Sequence, residues 1–343
     1  MRTPEPDPSV LQKRVVEALL KPEAYDEEPG RIDLIQTHIS FVFLTKRFVY
    51  KVKKAVDLGF LNFKTLERRR FFCEKELELN RRLCGDMYIE VVPINMSDII
   101  KIKGRGRTVE YAVKMRRMPQ DRIMSRLLEE NKVDYDLIDR IAKIVSDFHS
   151  KAETNERISR FGSLEIVRAN WEENFDQTRS FIGKTISQDD FDFIQGKVYG
   201  FMERNAHLFE RRVRNGRIRD CHGDMHSGNI FVTDRIYIFD AIEFNERFRY
   251  SDVASEMAFL AMDLDFKGRG DLSDFLIERY VEYSGDGGLR RVLPFYKCYR
   301  AYVRGKVTSF KLADPNIDVE EKAAAEEDAK AYFKLASKYA ETL

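Results

Sequence analysis

The sequence predicts an α+β chain of two lobes, a small N-terminal lobe built on an antiparallel sheet and a larger, mainly helical C-terminal lobe. Three observations lead there. Short runs rich in β-branched and aromatic residues, separated by turn residues, crowd the stretch before Pro119. Apolar periodicities at helical spacing dominate after it. A polar loop and hairpin, Cys221 to Glu243, then interrupt the helical region with a dense set of reactive side chains.

Val10, Leu11, Val15, Leu19 and Leu20 recur at helical spacing, and Pro22 with Asp26-Glu27-Glu28-Pro29-Gly30 ends that segment. Residues 1–30 are therefore expected to form an extension with one helix. Met1 to Ser9 is proline-rich and acidic and lacks the apolar stretch of a signal peptide. Ile39 to Leu44 and Phe48 to Val52 read as strands around the turn Thr45-Lys46-Arg47. A helix follows Phe63 and runs to about Leu83. Val91 to Ile94, Ile99 to Ile102 and Tyr111 to Met115 read as further strands, with Gly104-Arg105-Gly106-Arg107 as a turn. Arg116-Arg117-Met118-Pro119 ends the last of them, which sets the first lobe at residues 31–118 and the second at 119–313.

Leu137, Ile138, Ile141, Ile144, Val145 and Phe148 mark a strongly periodic helix ending near His149. Asp252 is an N-cap candidate for the apolar helix through Leu264. Residues 289–312 read as another helix, with Arg300 and Arg304 on one face. Asp318-x-x-Glu321 resembles a capping box and opens a terminal helix in residues 314–343.

Composition narrows the function. Of 343 residues, 43% are apolar and 25 are Phe, enough for two sizeable cores. Charged residues reach 34% but balance to a net +1, so no global charge argues for nucleic acid. Locally, residues 171–192 are acidic and could attract a cation, although a solvated face explains them better, whereas Arg211, Arg212, Arg214, Arg217 and Arg219 could steer phosphates or an anionic substrate or equally form a basic connector. Four cysteines show neither metal-ligand spacing nor a disulfide framework, which fits a reducing cytoplasm. No apolar run approaches the roughly 18 residues of a membrane span.

The hairpin carries the chemistry. Ile230-Phe231-Val232 and Ile236-Tyr237-Ile238-Phe239 flank three turn-type residues. Asn229 enters the first strand and Asp240 leaves the second, which sets them nearly opposite, within roughly 5 Å between Cα atoms. Asp224 sits on a loop with two glycines and can curl over the same point. Few, hard oxygen ligands suit Mg²⁺ on a nucleotide, and a lone aspartate beside them suits a general base for a hydroxyl.

Residues 222–229, His-Gly-Asp-x-His-x-x-Asn, resemble the catalytic loop of the aminoglycoside phosphotransferase and choline kinase family, a branch of the protein-kinase-like fold. The nearest likeness is to uncharacterised bacterial aminoglycoside-phosphotransferase-like kinases. The resemblance implies a bilobal protein-kinase-like fold with Asp224 as catalytic base, Asn229 as a metal ligand and Asp240 as the main Mg²⁺ ligand. It further implies that a strand lysine, Lys51 in preference to its neighbour on the same face Lys53, reaches the ATP phosphates. That lysine would pair with a glutamate of the next helix, Glu76 in preference to Glu74. Asp252 would brace the loop, His149 would be structural, and Glu243 would be a further carboxylate at the metal. Two departures stand out. Ala241 and Ile242 follow Asp240 where protein kinases have Phe-Gly, and Thr37-His38-Ile39-Ser40 stands where a glycine-rich phosphate loop is expected. Ser40 and its backbone are left to cradle a phosphate.

The expected function is ATP- and Mg²⁺-dependent transfer of the γ-phosphoryl group to a hydroxyl of a small molecule, in the cytoplasm and away from membranes and nucleic acid. The missing glycine loop motivates one alternative, a nucleotide-binding regulator without activity; a kinase acting on protein is another. A zinc hydrolase built on His222, Asp224 and His226 is a third.

Overall fold

The computed structural model describes residues 8–314 and 317–343; Met1 to Asp7, part of the expected extension, lie outside the described residues. The elements run α1 (Pro8–Leu19), β1 (Asp33–Gln36), β2 (Ser40–Leu44), β3 (Phe48–Lys53), α2 (Leu66–Cys84), β4 (Tyr88–Met96), β5 (Ile100–Ile102), β6 (Arg107–Arg116), α3 (Met124–Glu129), α4 (Tyr135–Lys151), α5 (Glu156–Ser159), α6 (Leu164–Thr178), α7 (Gln188–Arg204) and α8 (Ala206–Arg214). There follow β7 (Ile218–Asp220), β8 (Ile230–Val232), β9 (Ile236–Ile238), α9 (Glu246–Arg249), β10 (Tyr250–Asp252), α10 (Val253–Phe266), α11 (Gly270–Ser284), α12 (Leu289–Phe310) and α13 (Val319–Ala340). They group into two compact units, residues up to Ile123 with Asn229–Glu246, and Met124–Gly228 with Arg247–Leu343. No helix among the described residues is long and apolar enough to cross a membrane.

The first unit is an antiparallel sheet of order β1-β2-β3-β6-β4-β5. Its period of two divides the core. On β6, Ala112 packs with Val15, Leu19, Phe43 and Val52 on one face, while Val113 and Met115 pack with Cys73, Cys84 and Tyr88 on the other. The first of these faces is covered by α1. The helix expected as an extension is thus part of the core, and polar bonds fix it there. The Gln12 amide donates to the Lys53 carbonyl at 2.8 Å and to Glu110 at 3.0 Å, and accepts from the Ala55 amide at 2.9 Å. The guanidinium of Arg69 completes this buried group on Glu110. β1 went unread in the sequence because Asp33 and Gln36 bracket only two apolar residues.

The hairpin β8–β9 groups with this unit, whereas the sequence put it in the second lobe. The cause is apolar. Phe231 and Tyr237 are buried against Met115, Met118, Cys84 and Met87, Phe231 stacks on Phe239 at 5.0 Å, and Ile123 forms a β-bridge to Phe231.

In the second unit α10 is buried along most of its length, with α4, α11, α12 and α13 packed around the same core. The terminal helix belongs to this unit: its Tyr332 stacks on Phe266 at 3.7 Å. Trp171, Phe175, Phe295 and Tyr302 form an aromatic cluster under α6 and α12. The arginines ahead of the 221–228 loop are largely structural. Arg212 is buried between Asp252 and Asp286, each at 2.6 Å, and Arg219 donates to the carbonyls of Gly216 and Ala152. All four cysteines are free and buried, two in each unit; burial raises the Cys73 thiol to about 12 and pushes the other three well up too.

Because Phe231 fastens the hairpin to the sheet, Phe231→Ala should cost roughly 3–5 kcal/mol of stability. Urea unfolding followed by circular dichroism checks this, and a loss under about 1 kcal/mol would show that the hairpin is held elsewhere.

Candidate active site

Lys51 and Lys53 lie two apart on β3 and therefore on one face. Glu76 of α2 receives both, Lys51 at 2.8 Å and Lys53 at 2.7 Å. Glu74, the other candidate, is on the exposed face with Arg70. The sequence framed the lysines as alternatives, yet they do different things. Lys53 is fully buried and also bonds Glu243. Lys51 keeps some exposure and reaches Asp240 at 2.6 Å. Burial disfavours both ammonium groups, but Asp240 and Glu76 outweigh it for Lys51, and Glu243 and Glu76 for Lys53, so both stay charged. Burial also opposes ionisation of Glu76, and the two lysines overcome it, holding the carboxyl down at about 2. Glu243, expected as a further carboxylate at the metal, is buried as the second partner of Lys53.

The hairpin register differs from the expected one by one residue. Ile230 pairs with Ile238, and the Phe239 amide donates to the Asn229 carbonyl at 3.0 Å, so Asn229 faces position 239. Strand alternation alone would send the next side chain to the opposite face. Asp240, however, has φ +65°, a left-handed conformation uncommon for a side-chain-bearing residue, and the alternation breaks there. The following amide, Ala241, is held by Asn80 of α2 at 2.9 Å. The Asp240 carboxylate remains 43% exposed. Ser40 is buried at the start of β2, opposite Lys53 in the ladder. The Thr37 hydroxyl takes the Ile39 and Ser40 amides at 3.3 and 2.9 Å, so the turn closes on itself, and the Ser40 hydroxyl is fully buried beneath it.

In the second unit, the 221–228 loop is tied along α10. Glu256, fully buried, accepts the amides of His222 at 2.9 Å and of Gly223 at 2.6 Å. Two turns on, Asp263 accepts the Ser227 amide at 2.8 Å. His149 stands behind Glu256, with Nε2 at 2.8 Å from its carboxylate and Nδ1 at 2.8 Å from the Tyr280 hydroxyl. The Tyr280 phenol, which burial keeps protonated, fixes the ring from its far side, and Nε2 faces the carboxylate. The brace that the sequence assigned to Asp252 comes from Glu256 and Asp263. Asp252 caps α10 through the Ala254 amide and takes Arg212. Glu256 and Asp263 were missed because an almost wholly apolar helix shows no polar stripe; two acids seven apart within it were the available signal.

Asp224 is about a third exposed, with His226 Nε2 at 3.6 Å. His226 Nδ1 accepts the Gly228 amide at 3.1 Å, which places the ring proton on Nε2, toward Asp224. A Cβ at Gly228 would meet the His226 ring at 2.8 Å, so this approach needs glycine. Partial burial would raise the Asp224 carboxyl; His226, Arg304 and His222 outweigh it and hold the group well below the ordinary carboxylate range. The zinc alternative loses its geometry. Among the described residues the metal-ligating atoms that gather are those of His149, Cys221 and Glu256, not His222, Asp224 and His226.

No family model matches the chain. Uncharacterised proteins of Mycobacterium tuberculosis and Mycobacterium bovis are 34% identical to it over 277 residues, 80% of the chain and 54% of their own length. The chain thus spans about half the length of the curated relatives it matches. Among solved structures, a choline/ethanolamine kinase family protein from Mesorhizobium loti aligns over 97% of this chain and 99% of its own, with a TM-score of 0.52 at 13% identity. The chain has the protein-kinase-like fold of the choline and ethanolamine kinases. On this kinase-like fold, the strand lysine, the helix glutamate and the aspartate after the hairpin form one ion-paired group, Lys51, Glu76 and Asp240.

The loop brace should be acid-labile. Burial works against the Glu256 charge, and His149 and the His222 amide prevail, lowering the carboxyl from 4.5 to about 2. A lowered carboxyl stabilises fully above its unfolded value and loses that contribution as pH falls through the folded one. About 3 kcal/mol should therefore vanish between roughly pH 4.5 and 2. Urea titrations of wild type and Glu256→Gln across this range check it: the stability gap should shrink as pH falls, and a constant gap would contradict the assignment.

Proposed function

We propose that the chain is an ATP- and Mg²⁺-dependent phosphotransferase that moves the γ-phosphoryl group to a hydroxyl of a small molecule. The observation that carries this reading is the position of Lys51, 2.8 Å from Glu76 and 2.6 Å from Asp240. A lysine immobilised by a buried glutamate is a fixed charge suited to nucleotide phosphates. The residues present fit the metal as well. Asp240 offers a half-exposed carboxylate on a strained backbone, and Asn229 offers an amide oxygen, both hard donors. Bound there, Mg²⁺ would neutralise phosphate charge. The Asp240–Lys51 pair would open to admit it, while Lys51 keeps Glu76.

Asp224 takes the part of the base. Ionised and oriented by the His226 Nε2–H, it is acceptor-only and receives the hydrogen bond of the incoming alcohol. The alcohol oxygen bonds the γ-phosphorus while the bond to the β–γ bridging oxygen breaks. ADP leaves with that electron pair, and the alcohol proton passes to Asp224. A carboxylate of such low basicity suits a transfer in which positioning and charge neutralisation dominate over proton abstraction.

Asp240→Ala tests the nucleotide site. ATP with Mg²⁺ at a hundred times its dissociation constant should stabilise wild type by roughly 2.7 kcal/mol in a thermal-shift measurement, and the variant should show no Mg²⁺-dependent shift. Wild type that fails to shift would sink the reading. Asp224→Asn should keep the shift and lose roughly 10²- to 10⁴-fold in turnover. Wild-type turnover in that variant would demand another base. A wild-type shift with no transfer to any alcohol would make the chain a nucleotide-binding regulator, and label from ATP appearing on polypeptide would make it a protein kinase.

A further inference from the structure

We propose that the acceptor alcohol carries an oxyanion, a carboxylate or a phosphate, and that Arg304 reads it with Arg300 packed behind. This inference rests on the phosphotransferase reading and concerns the acceptor alone. Arg300 and Arg304 lie four apart on α12, hence on one face. Arg300 is buried; its Nε donates to the Ser255 carbonyl at 3.1 Å and its Nη1 to the Gly223 carbonyl at 3.3 Å, one residue from Asp224. Its guanidinium sits 4.8 Å from the centre of the Phe259 ring. That ring lies 5.4 Å from the ring of His226, which faces Asp224. Arg300 is thus joined to the proposed base by continuous packing.

Arg304 is one turn further along, partly exposed, with its guanidinium 5.5 Å from the Tyr332 ring centre. Among the described residues, neither Arg300 nor Arg304 forms an ion pair with a carboxylate, whereas Arg212, Arg247, Arg249 and Arg279 of the same unit each do. Arg304 is close enough to Asp224 to help depress its carboxyl. A planar guanidinium with unspent donors, one helical turn from the Arg300 that bonds the Gly223 carbonyl beside the proposed base, matches a carboxylate or phosphate in a paired, two-point contact.

A cationic acceptor fits poorly. An ammonium group brought beside Asp224 would meet the like charge of Arg304. Of the six acids in the stretch 171–192, which the sequence offered as a draw for cations, four are engaged within the chain. Glu173 is paired with Arg247 and Asp176 with Arg179, while Asp190 bonds Ser187 and Asp192 bonds Gln188.

The test is calorimetric titration of inorganic phosphate into the full chain saturated with Mg²⁺ and a non-hydrolysable ATP analogue, which fills the γ position. Saturable phosphate binding is expected, weakened roughly ten- to a hundredfold in Arg304→Gln. Analogue binding to that variant controls for its folding. In parallel, ATP consumption is compared for glycerol against glycerol 3-phosphate, glycerol against glycerate, and choline. The anionic members should turn over at least about tenfold better, with the preference collapsing through KM in Arg304→Gln. Preference for glycerate over glycerol 3-phosphate, or the reverse, separates the two oxyanions. Nucleotide binding without phosphate binding, equal binding in the variant, or preference for choline would overturn this inference alone. A kcat loss on every acceptor with KM unchanged would overturn it too, by assigning Arg304 to the transferring phosphoryl group. Failure of the analogue itself to bind would overturn the phosphotransferase reading beneath it.

Discussion

Glu256 holds two backbone amides of the 221–228 loop with one carboxylate, out of reach of water, while His149 donates to it from the other side. A charge in such a place is costly unless it is fully hydrogen-bonded. Here the donors are all supplied by fixed elements: the loop itself, and α4 through His149, whose ring is set in turn by Tyr280 of α11. The loop therefore cannot relax without stranding an ion. Asp263 repeats the arrangement at the other end of the loop. Residues seven apart on a helix are about 10.5 Å apart along its axis, so α10 serves as a straight edge along which the loop is laid.

The sheet unit uses the same chemistry for a different end. Glu76 is also a buried helical carboxylate, but its partners are two ammonium groups rather than two amides. Buried ion pairs contribute little net stability compared with an apolar replacement, and breaking one by removing a partner is expensive. Their value is geometric. Lys53, locked between Glu76 and Glu243, joins β3, α2 and the segment after the hairpin. Lys51, held by the same Glu76, keeps the slight exposure that Lys53 lacks and turns its other contact to the exposed carboxylate of Asp240.

Much of this could be read from the chain before the coordinates. The strands of the sheet apart from β1, the helix bearing Glu76, the amphipathic α4 and the capped ends of α10 and α13 follow from local patterns that tertiary packing did not overrule. So does the hairpin, whose apolar runs flank a turn. What failed was of two kinds. Register failed by one residue, because a three-residue turn fixes the partner of Asn229 as Phe239 and the left-handed turn of backbone at Asp240 has no reliable sequence mark. Polar partnerships over long separations failed too. Gln12 with Glu110, Glu243 with Lys53 and Glu256 with His149 are each ordinary polar residues in sequence, and their meaning comes only from burial. The arginines showed the reverse error. Those clustered before the loop are mostly internal struts, and the pair that stays without carboxylates among the described residues lies some eighty residues later, on a helix face that the sequence marked only as carrying two arginines.

The distribution of cysteines has a practical consequence. Thiolates, not thiols, react with alkylating and disulfide reagents, and all four sulfurs here are shielded and strongly disfavoured as thiolates. The folded chain should be silent to such reagents. Cys73 and Cys84 report from the sheet unit, Cys221 and Cys298 from the helical one. Pulsed labelling with residue-resolved mass spectrometry would then time the opening of each unit separately, with no engineered probe and no disturbance to either core.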